Sequence, residues 1–235
     1  MEKSVHIAID DEASVSGLLH APEHPEGREH TAVILAHGAG NDMNNPLLAA
    51  VSHRLADEGF TALRFNFPYK EKGKKAPDSQ AVLIRTWRAA ERFLREESGV
   101  RVGRLICGGK SMGGRIASQM TAEWLLACDG LVFLGYPLHP AGKKDRLRDA
   151  HLYGLHVPML FFAGTRDPLC DLDLLRGVLS RVDVPCILET VDGGDHSFNV
   201  PKSTGLSRET VYGQIAARTV EWVESTASGP GKGGR

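Results

Sequence analysis

Nowhere in this chain do apolar residues run for the roughly 20 positions that a helix needs to cross a bilayer. The opening Met1-Glu2-Lys3-Ser4 also leads into no apolar signal-peptide core. These absences argue against a helical membrane protein and make the cytoplasm the expected compartment. Cysteine is scarce: there are four, Cys107, Cys128, Cys170 and Cys186, with no C-x-x-C pair among them. That is too sparse for a disulfide framework, so all four are expected to be reduced and mostly buried. Neither sign of charge is in excess, with 28 Lys and Arg against 29 Asp and Glu and a formal charge of −1. The whole molecule therefore has no electrostatic reason to seek nucleic acid or an anionic membrane. The expected partner is a small-molecule substrate, and a homo-oligomer is left open. No His, Cys, Asp and Glu cluster has metal-ligand spacing and no G-x-G-x-x-G follows a first strand, so neither a metal nor a cofactor is expected.

What is present is enough apolar sequence, 42% of 235 residues, for one sizeable core. We read a single domain over residues 1–227 and a disordered tail over 228–235, where Ser-Gly-Pro-Gly-Lys-Gly-Gly-Arg can bury no apolar surface. Residues 3–20 alternate as two short strands about a turn at Asp10-Asp11-Glu12, which predicts an antiparallel edge hairpin. The stretch Ala21 to Glu29, with Pro22, Pro25 and Gly27, reads as a loop.

From there a grammar repeats: a continuously apolar run, a Gly- or Pro-rich turn, then a segment of helical period. The runs are Ala32 to Ala36, Phe60 to Phe65, Arg104 to Cys107, Leu131 to Leu134, Pro158 to Ala163 and Cys186 to Thr190. Such runs suit parallel strands covered on both faces. The helices between them include one with Asn45 before Pro46 and a stop at Gly59, and one from about Asp78 to Glu97. Another begins at Ser111 with Ile116, Met120 and Trp124 on one face, and the last runs from Ser207 to about Ser225. The expected class is α/β, a mostly parallel doubly wound sheet with an N-terminal antiparallel edge hairpin. Sites in such sheets lie in loops at the carboxyl ends of the strands.

The sharpest local signal stands in that position. Gly109-Lys110-Ser111-Met112-Gly113 is a G-x-S-x-G sequence between a predicted strand and a predicted helix. In a chain with 26 glycines the pattern alone is weak, but this context is the one its chemistry requires. A serine on a sharp, strained turn lifts its hydroxyl clear of the sheet, and glycine two residues to either side avoids a collision. The helix that follows aims free N–H groups at an oxyanion.

Such a serine needs a base and an orienting acid, found downstream in the order Ser, Asp or Glu, His. Asp167, in Gly164-Thr165-Arg166-Asp167-Pro168, directly follows one predicted strand. His196, in Gly193-Gly194-Asp195-His196-Ser197-Phe198, follows the next. Asp195 is assigned to loop structure, because adjacent residues do not easily aim a carboxylate at the same imidazole. Met112 supplies one oxyanion N–H; the other is expected from His37-Gly38-Ala39-Gly40, with Ala39 favoured and Gly40 next. His37 is read as fixing that loop.

These words, together with Arg64-Phe65-Asn66-Phe67-Pro68-Tyr69, Gly108 to Arg115 and Gly135-Tyr136-Pro137-Leu138-His139-Pro140, cover the chain from about residue 30 to 225. On them the chain resembles a small α/β-hydrolase of the branch related to dienelactone hydrolase. The resemblance implies the α/β-hydrolase fold, and the placement of Ser111 with the downstream order of Asp167 and His196 makes the expected function a serine hydrolase acting on a small ester or thioester. Two departures stand out. Dienelactone hydrolase uses a cysteine nucleophile where this chain has serine. The connection from Leu134 to Pro158 is only about 23 residues, too short for a helical cap domain, so a fairly open site is expected.

Other residues stay ambiguous. Lys110 reads as substrate-binding through a substrate carboxylate, or as pointing to solvent or to an acid. The lysines between Lys70 and Lys75 read as a solvated loop or as recruiting an anionic substrate. Tyr69 and His139 follow strand ends and either line the pocket or pack under a loop. The competing functional reading is a non-catalytic scaffold, since animal relatives of this branch include a chromatin-complex subunit without established catalysis.

Overall fold

The structure, a computed structural model, describes residues 2–22, 28 and 30–227. The tail expected at 228–235, and most of the loop expected between Ala21 and Glu29, lie outside the described residues.

Alternating apolar positions and a tight turn at 9–13 pair β1 (Glu2–Ala8) with β2 (Ser14–His20) in antiparallel register, Glu2 opposite His20 and Ala8 opposite Ser14. The chain then enters β3 (Thr31–Ala36), all six residues of which are buried. Helix α1 (Pro46–Asp57) starts where Asn45 and Pro46 predict, with Asn45 Oδ1 accepting from the Leu47 and Leu48 N–H groups at 3.1 and 3.4 Å. Strand β4 (Thr61–Phe65) leads through a short α2 (Pro68–Glu71) to α3 (Gln80–Arg92), which continues as one π-helical turn, Phe93–Glu97. Then come β5 (Arg104–Lys110), α4 (Met112–Ala122), β6 (Gly130–Leu134), β7 (Met159–Gly164), α5 (Leu172–Leu179), β8 (Cys186–Val191) and α6 (Arg208–Ala227).

Among the described residues eight strands form one sheet in the order β1-β2-β4-β3-β5-β6-β7-β8, parallel from β4 to β8 with the antiparallel hairpin at one edge. Because successive side chains alternate faces, each central strand feeds two cores. Ala32, Ile34 and Ala36 of β3 join Leu83 and Trp87 of α3, Ile116 and Met120 of α4, and Leu175 of α5 on one face. Val33 and Leu35 join Val51 and Leu55 of α1 and Ile215 and Trp222 of α6 on the other. Residues 135–158, between β6 and β7, hold only a 3₁₀ turn at Ala150–Gly154, so no cap domain stands over the carboxyl ends of the strands.

One predicted core residue is corrected. Trp124 is 76% exposed and leaves the buried face of α4, because that helix ends at Ala122 and Trp124 takes a left-handed turn with φ 58°. Its ring stacks on His156 at 3.8 Å. All four cysteines are free; Cys107 and Cys170 are buried, and Cys128 and Cys186 are half-buried. Among the described residues no helix is long and apolar enough to cross a membrane.

Candidate active site

Ser111 is the single residue between β5 and α4, and it makes the turn with φ 51° and ψ −113°, a conformation unfavourable for a residue with a Cβ. The glycines around it explain how so sharp a turn fits against the sheet. A Cβ on Gly109, which has φ 142°, would lie 2.0 Å from the Ala36 carbonyl oxygen, and one on Gly113 would lie 2.3 Å from the same atom. The collision they avoid is thus with the neighbouring strand β3 rather than within the turn.

Two loops at the ends of β7 and β8 bring the other groups to the serine. They are tied together by the Arg166 N–H, which donates to the Gly194 carbonyl at 2.9 Å. Asp167 Oδ2 lies 2.7 Å from His196 Nδ1, and His196 Nε2 lies 2.9 Å from Ser111 Oγ. Asp167 has no exposed side-chain surface, and its second oxygen accepts the Leu169 N–H at 2.8 Å. With the Nδ1 proton facing a carboxylate, Nε2 is left as the acceptor for the serine O–H. Asp195 serves its own loop, its Oδ1 accepting the Ser197 and Asn199 N–H groups at 2.7 and 2.9 Å.

The loop after β3 closes the site from the other side. A Cβ on Gly38 would meet Ser111 Cβ at 3.3 Å, so the chain passes directly over the serine there. His37 holds the loop in place. Its Nδ1 lies 2.9 Å from the Gly38 carbonyl and its Nε2 accepts the Phe67 N–H at 3.1 Å, which fixes a neutral ring with the proton on Nδ1. Burial pushes His37 down to about 4. The Met112 N–H, at the first position of α4, has no acceptor within its own helix. Met112, Ala39 and Ser111 border one hollow of about 530 Å³.

Three residues expected to bind substrate are placed elsewhere. Lys110 is only 4% exposed and lies behind the site, where its Nζ donates to the His196 carbonyl at 2.5 Å and sits 5.8 Å from the centre of the Phe198 ring. Burial pushes Lys110 down to about 8, against the opposing pull of the Asp167 and Asp195 carboxylates. Tyr69 is fully buried beneath the His37 loop, its hydroxyl donating to the Gly38 carbonyl at 3.2 Å. His139 is buried as well; its Nε2 accepts the Asp171 N–H at 3.0 Å and its Nδ1 faces the Pro140 carbonyl at 3.0 Å. Of the two candidates for the second oxyanion donor, Ala39 borders the hollow and Gly40 does not. Lys72, Lys74 and Lys75 are exposed, and the hollow is bordered from that side by Pro77 and Asp78.

Sequence reading assigned no role to Arg115 or Arg148, which also border the hollow. The signal for Arg115 was its place four residues after Ser111; nothing in the sequence marks Arg148. The structure also gathers Glu2, His20 and His53 from three elements, with one potential ligand atom of each within 4.8 Å of the others. Arg64 Nη2, 2.5 Å from Glu2 Oε2, already places a positive charge at that cluster, which lies by the β1–β2 edge.

The profile of the family described as "Alpha/beta hydrolase domain" matches residues 29–224 of this chain. Among solved structures it is similar to dienelactone hydrolase from Anabaena variabilis, at 19% identity and a TM-score of 0.75 over 96% of this chain and 97% of that one. Est1E from Butyrivibrio proteoclasticus, with ferulic acid bound, aligns at 13% identity and a TM-score of 0.76 over 95% and 99% of the two chains. A serine hydrolase without lid from Xanthomonas campestris aligns at 16% identity and 0.69 over 96% and 93%.

Proposed function

The chain belongs to the alpha/beta hydrolase family, and we propose that it is a serine hydrolase acting on a small ester or thioester through Ser111, His196 and Asp167. The observation that carries this reading is the unbroken relay from Ser111 Oγ through His196 to Asp167, with contacts of 2.9 and 2.7 Å.

In this account Ser111 Oγ attacks the substrate carbonyl carbon as His196 Nε2 takes the hydroxyl proton. Asp167 holds the imidazole tautomer and stabilises the imidazolium that results. The negative charge that develops on the carbonyl oxygen meets the Met112 and Ala39 N–H groups. Each such donor contributes about 2.7–4 kcal/mol of transition-state stabilisation in comparable sites. Collapse of the tetrahedral intermediate breaks the bond to the alcohol or thiol, which leaves with the proton from His196. His196 then takes a proton from water, whose oxygen attacks the acyl-enzyme. The acid is released and the proton returns to Ser111. No step calls on a metal or cofactor.

The test is steady-state hydrolysis of p-nitrophenyl acetate and butyrate by the wild type and by Ser111→Ala. Alanine keeps a Cβ at φ 51°, so the backbone strain is unchanged and the melting temperature is expected to stay within a few degrees. Turnover is expected to fall by about 10⁴-fold or more. Turnover retained by folded Ser111→Ala would remove the serine from the mechanism.

A further inference from the structure

Two arginines, Arg115 and Arg148, border the same hollow as Ser111. Arg115 follows Ser111 by one helical turn, its N–H donating to the Ser111 carbonyl at 3.1 Å, so it rises on the serine's side of α4. Arg148 comes from the connection between β6 and β7. Its N–H donates to the Leu138 carbonyl at 2.8 Å and its own carbonyl accepts from the Tyr136 hydroxyl at 2.6 Å, so its backbone is pinned from both sides.

Neither cation has a carboxylate partner among the described residues. Arg115 Nη1 donates to the neutral Gln119 amide at 3.2 Å, and Arg148 Nη1 donates to the Pro137 carbonyl at 3.1 Å. Both are half-buried. Burial pushes the Arg115 guanidinium below its usual range, and the Arg148 charge acts in the same direction. An arginine does not shed its proton at accessible pH, so two such cations, near enough for the Arg148 charge to act on Arg115, carry an electrostatic cost that an incoming anion would relieve. The acid bordering the same hollow, Asp78, is engaged elsewhere, its Oδ2 accepting the Tyr69 N–H at 2.8 Å. The hollow that the arginines and the serine share is also lined by apolar side chains, among them Met112, Ile116, Pro137 and Leu169.

We infer that Arg115 and Arg148 form a carboxylate-binding pair, and that the substrate is an ester or thioester bearing a free carboxylate across a short apolar chain from the scissile carbonyl. A half-ester of a dicarboxylic acid has this chemistry. The planar forks of two arginines suit a carboxylate bound through both oxygens. The inference rests on Ser111 being the nucleophile, so its test must separate the two.

The experiment compares p-nitrophenyl half-esters of succinate, glutarate and adipate with p-nitrophenyl esters of the monocarboxylic acids of equal chain length. The expected result in the wild type is a kcat/KM at least tenfold higher for one of the half-esters. That ratio should shrink with added salt and fall towards one in Arg115→Gln and in Arg148→Gln. A wild-type ratio of one or below at every chain length overturns the inference while the hydrolase reading stands, and it needs no variant to fold.

In parallel, calorimetry measures binding of the corresponding half-amides, which resist hydrolysis, and of their uncharged counterparts to Ser111→Ala. Tenfold tighter binding of the anionic amide, lost in the double variants with either arginine changed, supports the pair independently of catalysis. Equal binding overturns it. If no ester is hydrolysed and the anionic amide still binds selectively, the nucleophile reading fails and the carboxylate site remains.

Discussion

At the scale of single residues, the lysine beside the serine shows how closely a site residue can be read and still be misplaced. Lys110 is adjacent to Ser111 in sequence, yet its ammonium is buried behind the site and holds the His196 carbonyl. That makes it a positioning residue, acting on the imidazole through the loop that carries it. Lys110→Met keeps the length of the stem and removes the donor. A hydrogen bond to a charged group contributes about 1.5–3 kcal/mol; were that loss felt entirely in the placement of His196, kcat would fall by about ten- to a hundredfold. KM for a neutral ester is expected to stay within about twofold, because Lys110 does not border the hollow. A rise in KM with kcat unchanged would instead mean that the lysine meets substrate. Ser111, Asp167 and His196 could be brought together from the sequence because their spacing follows strand ends that apolar runs mark. Tyr69 and His139 could not be placed, because a residue just past a strand end can turn towards the hollow or beneath a loop. Only the partners that fix them, Gly38 for Tyr69 and Asp171 for His139, decide which.

Elements were legible where a physical rule acts locally. The central strands lie between two cores and must be apolar along both faces, so β3, β6 and β7 begin and end within a residue or two of the runs that announce them. The start of α1 was marked by its cap. Asn45→Ala removes the acceptor for the Leu47 and Leu48 N–H groups and is expected to cost about 1 kcal/mol. Thermal unfolding should then occur about 2–4 °C lower, with turnover unaffected because the cap lies at the far end of the β3–α1 loop from His37. An unchanged melting temperature would mean that water replaces the cap at no cost. Elements were missed where the rule is short-ranged or contradicted. Helix α5 has only eight residues, and its signal, Asp171 at the N-cap with Leu175 and Val178 buried, is too brief to stand out from a loop. Helix α4 ends without the usual glycine, Trp124 itself taking the left-handed turn, so the apolar period appeared to run on. Arg64 is a charge within a fully buried strand, and it is accommodated by Glu2 and the Met43 carbonyl, neither near it in sequence.

At the scale of the whole molecule, the α/β class was recoverable because alternation of strand and helix is written along the chain. The hollow was not, since α4, the His37 loop and the β6–β7 connection each contribute part of it. Stability should also respond to pH as a property of the whole fold. Burial pushes both His37 and His151 down to about 4, from the ordinary 6.5, and for His151 the Arg115 charge adds to the effect. Between pH 6.5 and about 4 the unfolded chain therefore binds two protons that the folded protein refuses. The stability these neutral rings confer is fully present above 6.5 and is lost as pH falls to about 4, on the order of 3 kcal/mol each at most. Urea midpoints measured at steps from pH 7 to 4 should fall most steeply in that window, and a flat profile there would contradict the account. The central claim is that Ser111 is an activated nucleophile beside a working oxyanion hole. The most direct measurement is reaction of the purified wild type and Ser111→Ala with a fluorophosphonate probe, followed by mass spectrometry of the modified peptide. The account predicts one adduct, on Ser111, absent from the variant. Folded wild-type protein that carries no adduct, or carries it on another residue, would contradict it.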